Sequence, residues 1–373
     1  MARVLVEEQN LKNIADAIRE KTGKADLITP PNMAGEIQTI KSGGEIPREK
    51  SVNFWDYDGT LLYSYTIAEA KALTSLPPLP TYENETRFYA SDWTKTLSEV
   101  QAVFGFLDVT VKLTCGTPTE TSTYKYCQVL VVDTALVYDK KVTLRVSKTS
   151  TAGTVYVDWG DGLKATLFTS TSSTHTVSRT YTSRKKYVIA IRSTVDNIRL
   201  GNGSNAMVDI QYVLLSAYTD EGATLMAYAF SFCGAMRFAY IAKPGTNGAI
   251  LNKCYGLHTL ICGTLNSINA YTDCHSLSRL VINYTENALP NIASLKVLMY
   301  TDSSYPIITY GNVGVQVLFL TAPSVITQDR TKATFTTTNP IYVPDDLVDS
   351  YKADSSWDSN KNCIYPISSY TDE

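Results

Sequence analysis

A repeat of about twenty residues occupies the last third of the chain and restricts its fold more than any other feature. In each of five copies, apolar residues follow the first position at positions four, seven and nine. The copies begin at Cys233, Cys254, Cys274, Ile292 and Asn312, which are 21, 20, 18 and 20 residues apart. A fixed period of this length is typical of solenoids, in which each copy forms a strand and a turn and neighbouring copies stack around a shared core.

The repeat also predicts which side chains leave that core, because successive residues of a strand point to opposite faces. The outward row reads Tyr240, Ile261, Val281, Met299 and Phe319, and the row two residues earlier reads Phe238, Thr259, Arg279, Val297 and Val317. The first row is wholly apolar or aromatic, whereas a solvated sheet face normally carries polar side chains. We therefore expect this face to be covered by a subunit, a ligand or another part of the same chain. Phe238 and the first row form the candidate binding surface.

The repeats resemble the BspA-type leucine-rich repeats of bacterial and phage surface proteins. The matching signature is AFSFC at residues 229–233, followed by a leucine-containing strand, and the resemblance covers about residues 197–373. It implies a C-terminal leucine-rich-repeat solenoid. Residues 341–344 and the helical face of Leu347, Val348 and Tyr351 resemble the strand and capping helix that close such arrays. A terminal repeat needs such a lid because its core is otherwise open.

Composition narrows the possible partners and chemistry. The formal charge is −3, and no basic stripe is present, so nucleic acid is not expected as a partner. The seven cysteines include three at the same repeat position, which predicts small buried core residues. Without a C-x-x-C pair, neither a zinc site nor a disulfide framework is predicted, although Cys115 and Cys127 could pair across a hairpin.

No apolar run of signal-peptide or transmembrane length is found, so neither export by a signal peptide nor membrane insertion is expected.

Residues 1–44 are predicted to form two short amphipathic helices and a flexible linker. Their apolar faces are candidates for attachment to a larger particle. Those residues are Leu11, Ile14, Ile18, Met33 and Ile37. The segment at 11–23 resembles the opening of many phage minor tail proteins, which implies a particle-attachment role. The alternative is a helical hairpin packed on its own chain.

Residues 45–109 are predicted to form a small α+β module. The sequence Asp56-x-Asp58-Gly59-Thr60-Leu61 matches the first motif of haloacid-dehalogenase-type phosphatases, whose resemblance would imply a nucleophile, a general acid and magnesium. The preceding strand is short, and the proline-rich stretch that follows cannot form the required crossover. A hairpin turn at Asp58-Gly59 is therefore favoured. Capping boxes that begin at Thr66 and Thr96 predict two short helices.

The run from residues 53–59 through residues 91–93 resembles a module found in phage tail proteins of Gram-positive gut bacteria.

Residues 110–196 are predicted to form strands at 109–113, 126–132, 142–146, 155–159 and 187–191. The segment at 155–162, which ends in the W-G-D-G turn, resembles the PKD-type immunoglobulin-like fold. That resemblance implies a β-sandwich that acts mainly as a spacer. The sequence departs from the family at Arg179, where histidine is usual, and at 184–186, where glycine is expected. Asp158 and Asp161 could hold calcium, but use in the turn is favoured.

The whole chain is therefore predicted to be mainly β and multi-domain. The predicted domains are helices and linker at 1–44, an α+β module at 45–109, a PKD/Ig-like β-sandwich at 110–196 and the repeat solenoid at 197–373. The three histidines, His175, His258 and His275, lie at spacings that suggest neither a triad nor a metal site, so neither enzyme activity nor a cofactor is expected.

The function expected from the resemblances is that of a virion structural protein in a phage or phage-like tail. Its N-terminus would attach to other tail proteins, and its repeats would bind a glycan or protein on the bacterial surface. A homo-oligomer, guessed as a trimer, would follow the symmetry of the particle. A capsid decoration or head fibre, and a bacterial surface adhesin, are the alternatives.

Overall fold

Strands dominate the computed structural model of this chain, and its helices are few and short. The structure describes residues 50–103, 106–116, 124, 126–148, 153–168, 175–194, 198–201, 210–226, 228–243, 250–265, 273–285, 297–300, 307–308, 317–320, 324–325, 327–328 and 339–370. The helices are α1 (Ile67–Lys71), α2 (Leu97–Gln101) and α3 (Val348–Ala353).

The strands are β1 (Val52–Trp55), β2 (Leu61–Tyr65), β3 (Phe88–Trp93), β4 (Leu107–Cys115), β5 (Tyr126–Asp133), β6 (Lys141–Lys148), β7 (Val155–Asp158), β8 (Thr166–Phe168), β9 (His175–Thr180), β10 (Lys186–Ser193), β11 (Ile198–Leu200), β12 (Leu214–Thr219), β13 (Ala223–Leu225), β14 (Phe238–Ile241), β15 (Thr259–Leu265), β16 (Arg279–Thr285), β17 (Val297–Tyr300), β18 (Ile307–Ile308), β19 (Val317–Leu320), β20 (Thr327–Gln328), β21 (Ile341–Val343) and β22 (Ile364–Pro366).

Residues 50–103 and 106–116, the small module, form a four-stranded sheet in the order β2-β1-β4-β3 with two short helices. The predicted hairpin is confirmed, because β1 and β2 pair in antiparallel fashion on either side of Gly59. Both capping boxes are also confirmed. The Thr66 hydroxyl accepts from Glu69 N at 3.1 Å, and Thr96 and Glu99 repeat this arrangement. These helices form where predicted because the caps satisfy backbone donors that a short helix leaves unpaired.

The middle region, residues 126–225, contains two sheets that enclose a common apolar core. Strands β5, β7, β8 and β10 lie in one sheet, and β6, β9, β11 and β13 lie in the other. All five strands predicted between 109 and 191 are confirmed within a few residues. Trp159 is fully buried, and its carbonyl accepts from the Tyr181 hydroxyl at 2.9 Å, so the W-G-D-G segment anchors a turn between β7 and β8.

One continuous sheet of twelve strands joins this region to the repeats. Strand β12 pairs with β5 in antiparallel fashion on one side and with β14 in parallel fashion on the other. The sheet order is β22-β21-β19-β17-β16-β15-β14-β12-β5-β10-β7-β8. The predicted boundary at residue 197 therefore does not separate two sheets. Strands on both sides of it belong to the same two sheets, and the repeat strand β14 pairs with β12, which in turn pairs with β5.

The repeats form a parallel β-solenoid, as predicted. Strands β14 to β17 pair in parallel, with each repeat position opposite the same position of the next copy. The inward residues Ala239, Leu260 and Leu280 are fully buried. The repeated cysteines are buried too, and the Cys254 thiol lies 3.0 Å from the Phe230 carbonyl oxygen, which it can reach as a weak donor.

The predicted cap closes the far end of the described solenoid. Strand β21 is followed by a short 3-10 turn and α3, and β22 then extends the long sheet by one more strand. Tyr351 and Trp357 are fully buried with ring centroids 5.8 Å apart, while Leu347 and Val348 pack on the core from its margin. The terminal repeat is thereby shielded from water, as a solenoid end requires.

Candidate functional site

The apolar strand face of the solenoid is covered by the small module of the same chain. Phe238, Ile261 and Phe319 are at most 7% exposed. Trp55 lies 5.7 Å from Phe238 between ring centroids, and Phe106 lies 5.1 Å from Phe319. Of the three covers that the sequence left open, the structure therefore shows the intramolecular one.

The candidate binding surface must be corrected accordingly. Tyr240 and Val281 are half-buried and pack against the same clusters as Phe238 and Ile261. These residues hold two parts of one chain together, so the described members of the row do not form a surface open to a host receptor or to a second copy. The Met299 side chain lies outside the described residues, as do the attachment candidates Leu11, Ile14, Ile18, Met33 and Ile37.

A buried ion pair lies at the centre of this internal interface. Arg279 Nε donates to Asp108 Oδ2 at 2.6 Å, and both side chains are almost wholly buried. Trp55 Nε1 donates to the other Asp108 oxygen at 2.7 Å, and the Arg279 guanidinium lies 4.5 Å from the centroid of the Phe106 ring. The two Arg279 contacts cross from the strand face to the small module, and the Trp55 hydrogen bond holds the Asp108 carboxylate from within that module. This indicates a specific docked geometry rather than loose apolar cover.

The hairpin tip adds a close backbone approach to the same face. Gly59 has a φ of 86°, and a Cβ atom at this position would collide with the Phe238 side chain. Only glycine combines a left-handed backbone with so little space. The turn therefore needs Gly59 for two independent reasons.

The two carboxylates of the phosphatase-like motif are used within this hairpin. Asp56 accepts from the Tyr82 hydroxyl and from Tyr57 N, each at 2.7 Å, and Asp58 accepts from Thr60 N at 2.9 Å. Burial raises the pKa of Asp56 to about 6, against the opposing effect of the Tyr82 hydrogen bond. The geometry is that of a structural turn, and the absence of enzyme activity stays a prediction.

In contrast to the strand face, the turns that precede the repeat strands carry exposed aromatic side chains, and we call this side of the repeats the turn edge. Phe232 and Tyr255 are 44% and 47% exposed, and His275 is also exposed. Tyr255 and His275 stack with ring centroids 5.7 Å apart and planes inclined by 19°, while Lys253 Nζ lies 5.2 Å from the Phe232 ring centroid. We call Phe232, Lys253, Tyr255 and His275 the aromatic edge.

The aromatic edge follows the repeat. Its members lie directly before or after the repeated cysteines Cys233, Cys254 and Cys274. The residue before each cysteine has a left-handed backbone, with φ values of 66° at Phe232, 60° at Lys253 and 62° at Asp273. Such values are uncommon for bulky residues. Strain of this kind, at Phe232 and Lys253 in two successive repeats, is a reason to suspect a function.

Backbone hydrogen bonds between turns hold this edge in place. Phe230 N donates to Ile250 O at 2.9 Å, and Phe232 N donates to Asn252 O at 2.7 Å. Successive turns are thus tied at the spacing of the strands, about 4.8 Å. Planar side chains at this spacing present a stacked, amphipathic surface, which is a common basis for recognition.

A cavity of about 410 Å³ lies between the small module and the first parallel strands. Its walls carry Tyr218 and Tyr240, whose rings stack with centroids 5.1 Å apart. Asp220 also lines it, but its carboxylate already accepts from Cys127 N at 2.7 Å and from Gly222 N at 2.8 Å. Burial raises the pKa of Asp220. The remaining lining residues are Trp93, Thr94, Lys112, Leu113, Thr114, Cys115, Tyr124, Tyr126, Cys127, Glu221 and Ala242.

The acidic residues of the W-G-D-G turn are paired with arginines. Asp158 lies 3.3 Å from Arg87 and 3.5 Å from Arg192, while Arg179 Nε lies 3.2 Å from Asp161. Asp158 also accepts from Gly160 N at 3.0 Å. This supports the turn over a calcium site and accounts for Arg179, the departure from the resembled family. Across the described ranges, no group of three or more potential ligands is arranged to hold a metal ion.

The histidines occupy surface or packing positions. His258 is exposed, as predicted for a solvated repeat position, and its ring nitrogens lie 3.0 Å from the Thr259 hydroxyl and 2.7 Å from the Ser278 hydroxyl. His275 belongs to the aromatic edge, and His175 stacks on Phe168 at 4.4 Å.

Two features were missed from the sequence. Arg279, the one charged residue in an otherwise uncharged outward row, was the available signal for a buried partner. The aromatic edge could have been found by comparing the neighbours of each repeated cysteine.

No helix within the described parts of the chain is long and apolar enough to cross a membrane. No protein-family model matches the chain, and neither the curated proteins nor the solved structures that were searched include a match.

Proposed function

We propose that this chain is a non-enzymatic structural and adhesive protein of a phage or phage-like tail. Residues 1–44 would attach it to other tail proteins. The middle region, as a PKD/Ig-like sandwich, would act as spacer, and the BspA-type leucine-rich repeats would contact a glycan or protein on the bacterial surface. Several copies, guessed as a trimer, would follow the symmetry of the particle.

The observation that carries this proposal is the aromatic edge. Exposed rings at Phe232, Tyr255 and His275 recur beside the repeated cysteines and lie on a backbone held by hydrogen bonds. A rigid row of this kind offers contact area at little cost in side-chain entropy. The row first considered for binding is internal, so the proposed contact moves to the turn edge.

Cell binding by the full-length chain tests adhesion directly. The fluorescently labelled chain is incubated with intact cells from a panel of Gram-positive gut bacteria, and retained fluorescence is measured. Wild type is expected to bind at least one strain, and Tyr255→Ala to bind it at least tenfold more weakly. Tyr138→Ala serves as the matched control, because Tyr138 is 91% exposed and belongs to the middle region, between β5 and β6, and not to the repeats. Equal losses in both variants, or binding to no strain, would contradict adhesion through this edge.

The location on a particle tests the structural part of the proposal. Cryo-electron microscopy of released particles is expected to place the N-terminal segment in the tail and the repeats pointing outward. Density for the chain on the capsid would favour the decoration or head-fibre alternative. Burial of the repeats inside the particle would contradict host binding.

A further inference from the structure

Two cysteines from different sheets line the cavity of about 410 Å³ described above. Cys115 ends β4, Cys127 is the second residue of β5, and both are at most 2% exposed. The Cys115 thiol lies 3.7 Å from the carbonyl oxygen of Tyr126, the residue bonded to Cys127. Both cysteines belong to the same buried cluster, and Cys115 is one of the neighbours that raise the pKa of the Cys127 thiol.

The surroundings favour a pair of thiols at neutral pH. Burial raises the pKa of Cys127 well above its ordinary value, so the reactive thiolate is scarce and exchange is slow. Both residues line the cavity, but each side chain is at most 2% exposed, so the reaction with a small reagent requires local opening. The other closely packed cysteines, at Cys233, Cys254 and Cys274, lie inside the solenoid core and line no part of this cavity.

We propose that Cys115 and Cys127 form a reversible disulfide that locks the small module to the middle region. The oxidant is a low-molecular-weight disulfide. One thiolate attacks it, forms a mixed disulfide and releases one small thiol. The second thiolate then attacks the protein sulfur and releases the other small thiol, so that two S–H bonds are replaced by one S–S bond and two electrons pass to the oxidant.

The consequence is a covalent tie across an interface that is otherwise non-covalent. Strand β4 belongs to the four-stranded sheet of the small module, and β5 belongs to the long sheet. A reducing environment leaves the pair as thiols, whereas an oxidising environment outside a cell favours the bond. The small module, which covers the strand face, would then be harder to detach.

The test uses the full chain with Cys363→Ser, because Cys363 is the one cysteine that is not buried. Of seven cysteines, six remain in this variant. It is incubated with oxidised glutathione at pH 8, and a parallel sample is refolded in a glutathione redox buffer in case the buried pair is slow to react. Thiols are then counted in denaturant, and peptides are mapped by mass spectrometry without reduction.

The expected result is a decrease from six thiols to four, with a peptide that joins Cys115 to Cys127. The thermal unfolding midpoint should rise by several degrees on oxidation and return on reduction. Cys115→Ser and Cys127→Ser in the same background should keep this midpoint unchanged on oxidation. Six remaining thiols by both routes, only mixed disulfides with glutathione, or a bond that includes another cysteine would each overturn the proposal.

Discussion

The strand face and the turn edge of the solenoid both carry aromatic residues in repeat register, yet one is buried and the other is exposed. Phe238 and Phe319 on the strand face meet Trp55 and Phe106 of the small module. Tyr255 on the turn edge stacks on His275 of the next repeat and is 47% exposed. Apolar composition alone therefore did not identify a binding surface in this protein.

The difference between the two surfaces lies in their polar chemistry. The strand face contains one charged residue, Arg279, among the described residues of its two rows, and Asp108 satisfies it at 2.6 Å. The turn edge carries charge and rings side by side, as Lys253 and Phe232 show. A solvent-exposed surface can carry charged and aromatic side chains together at low cost in free energy. A buried charged side chain needs a partner of opposite charge.

Substitution of Arg279 is expected to have the largest effect on stability, and it tests whether the strand face is buried by a specific partner while the turn edge is not. Arg279→Met should leave the Asp108 carboxylate buried without its partner and lower the free energy of unfolding by about 3–5 kcal/mol. Urea unfolding measures this. The double variant Asp108→Asn with Arg279→Met should recover more than half of the loss, because no unpaired charge remains. Lys95→Met, in the exposed pair with Glu99, is the control and should cost about 0.5 kcal/mol at most. A loss below about 1 kcal/mol for Arg279→Met would mean that the strand face is not docked as described.

Substitution of Gly59 separates backbone strain from contact with the strand face. Gly59→Ala should lower the free energy of unfolding by about 2–4 kcal/mol. The new side chain both disfavours the left-handed backbone at this position and collides with Phe238. Gly162→Ala is the matched control, because Gly162 has a φ of 76° and nothing within 4 Å of the new Cβ. It should cost only about 1 kcal/mol. Equal losses in urea unfolding would show that Phe238 does not restrict the hairpin tip.

The pH dependence of stability tests the burial of Asp56 in that hairpin. Its folded pKa of about 6 exceeds the ordinary value of 3.8, so the folded state binds the proton more tightly. The contribution to stability is therefore fully present below pH 4 and is lost as the pH rises through 6. It amounts to about 3 kcal/mol at most, at about 1.4 kcal/mol per pKa unit.

The measurement compares wild type with Asp56→Asn in urea at pH values from 4 to 8. The difference in unfolding free energy between the two proteins should change in favour of wild type as the pH falls. A constant difference would show that Asp56 titrates normally. The same variant tests the phosphatase alternative, which predicts turnover of a generic phosphate ester by wild type and its loss in Asp56→Asn.

The smallest effect on stability is expected at the turn edge. Tyr255→Ala should change the free energy of unfolding by about 0.5 kcal/mol or less, because the side chain is nearly half exposed. Phe238→Ala on the strand face should cost about 3–5 kcal/mol in the same urea experiment. Similar values for the two variants would remove the distinction between the surfaces.

The repeat register, the inward core residues, the two capping boxes and the W-G-D-G turn were all predictable from the sequence. Each depends on residues close in the chain or on a strict period, so local chemistry determines it. The cap at Tyr351 and Trp357 was predictable for a related reason, since a solenoid end must be closed.

The sequence by itself therefore determined a mainly β chain with a parallel repeat solenoid and the side chains that leave its core. Only the tertiary structure decided what covers them. Asp108 and Arg279 are 171 residues apart, and no local pattern links a module near the start of the chain to a strand face near its end. Docking of this kind depends on shape and on matched polar groups across distant segments, and these become visible only when the chain is folded.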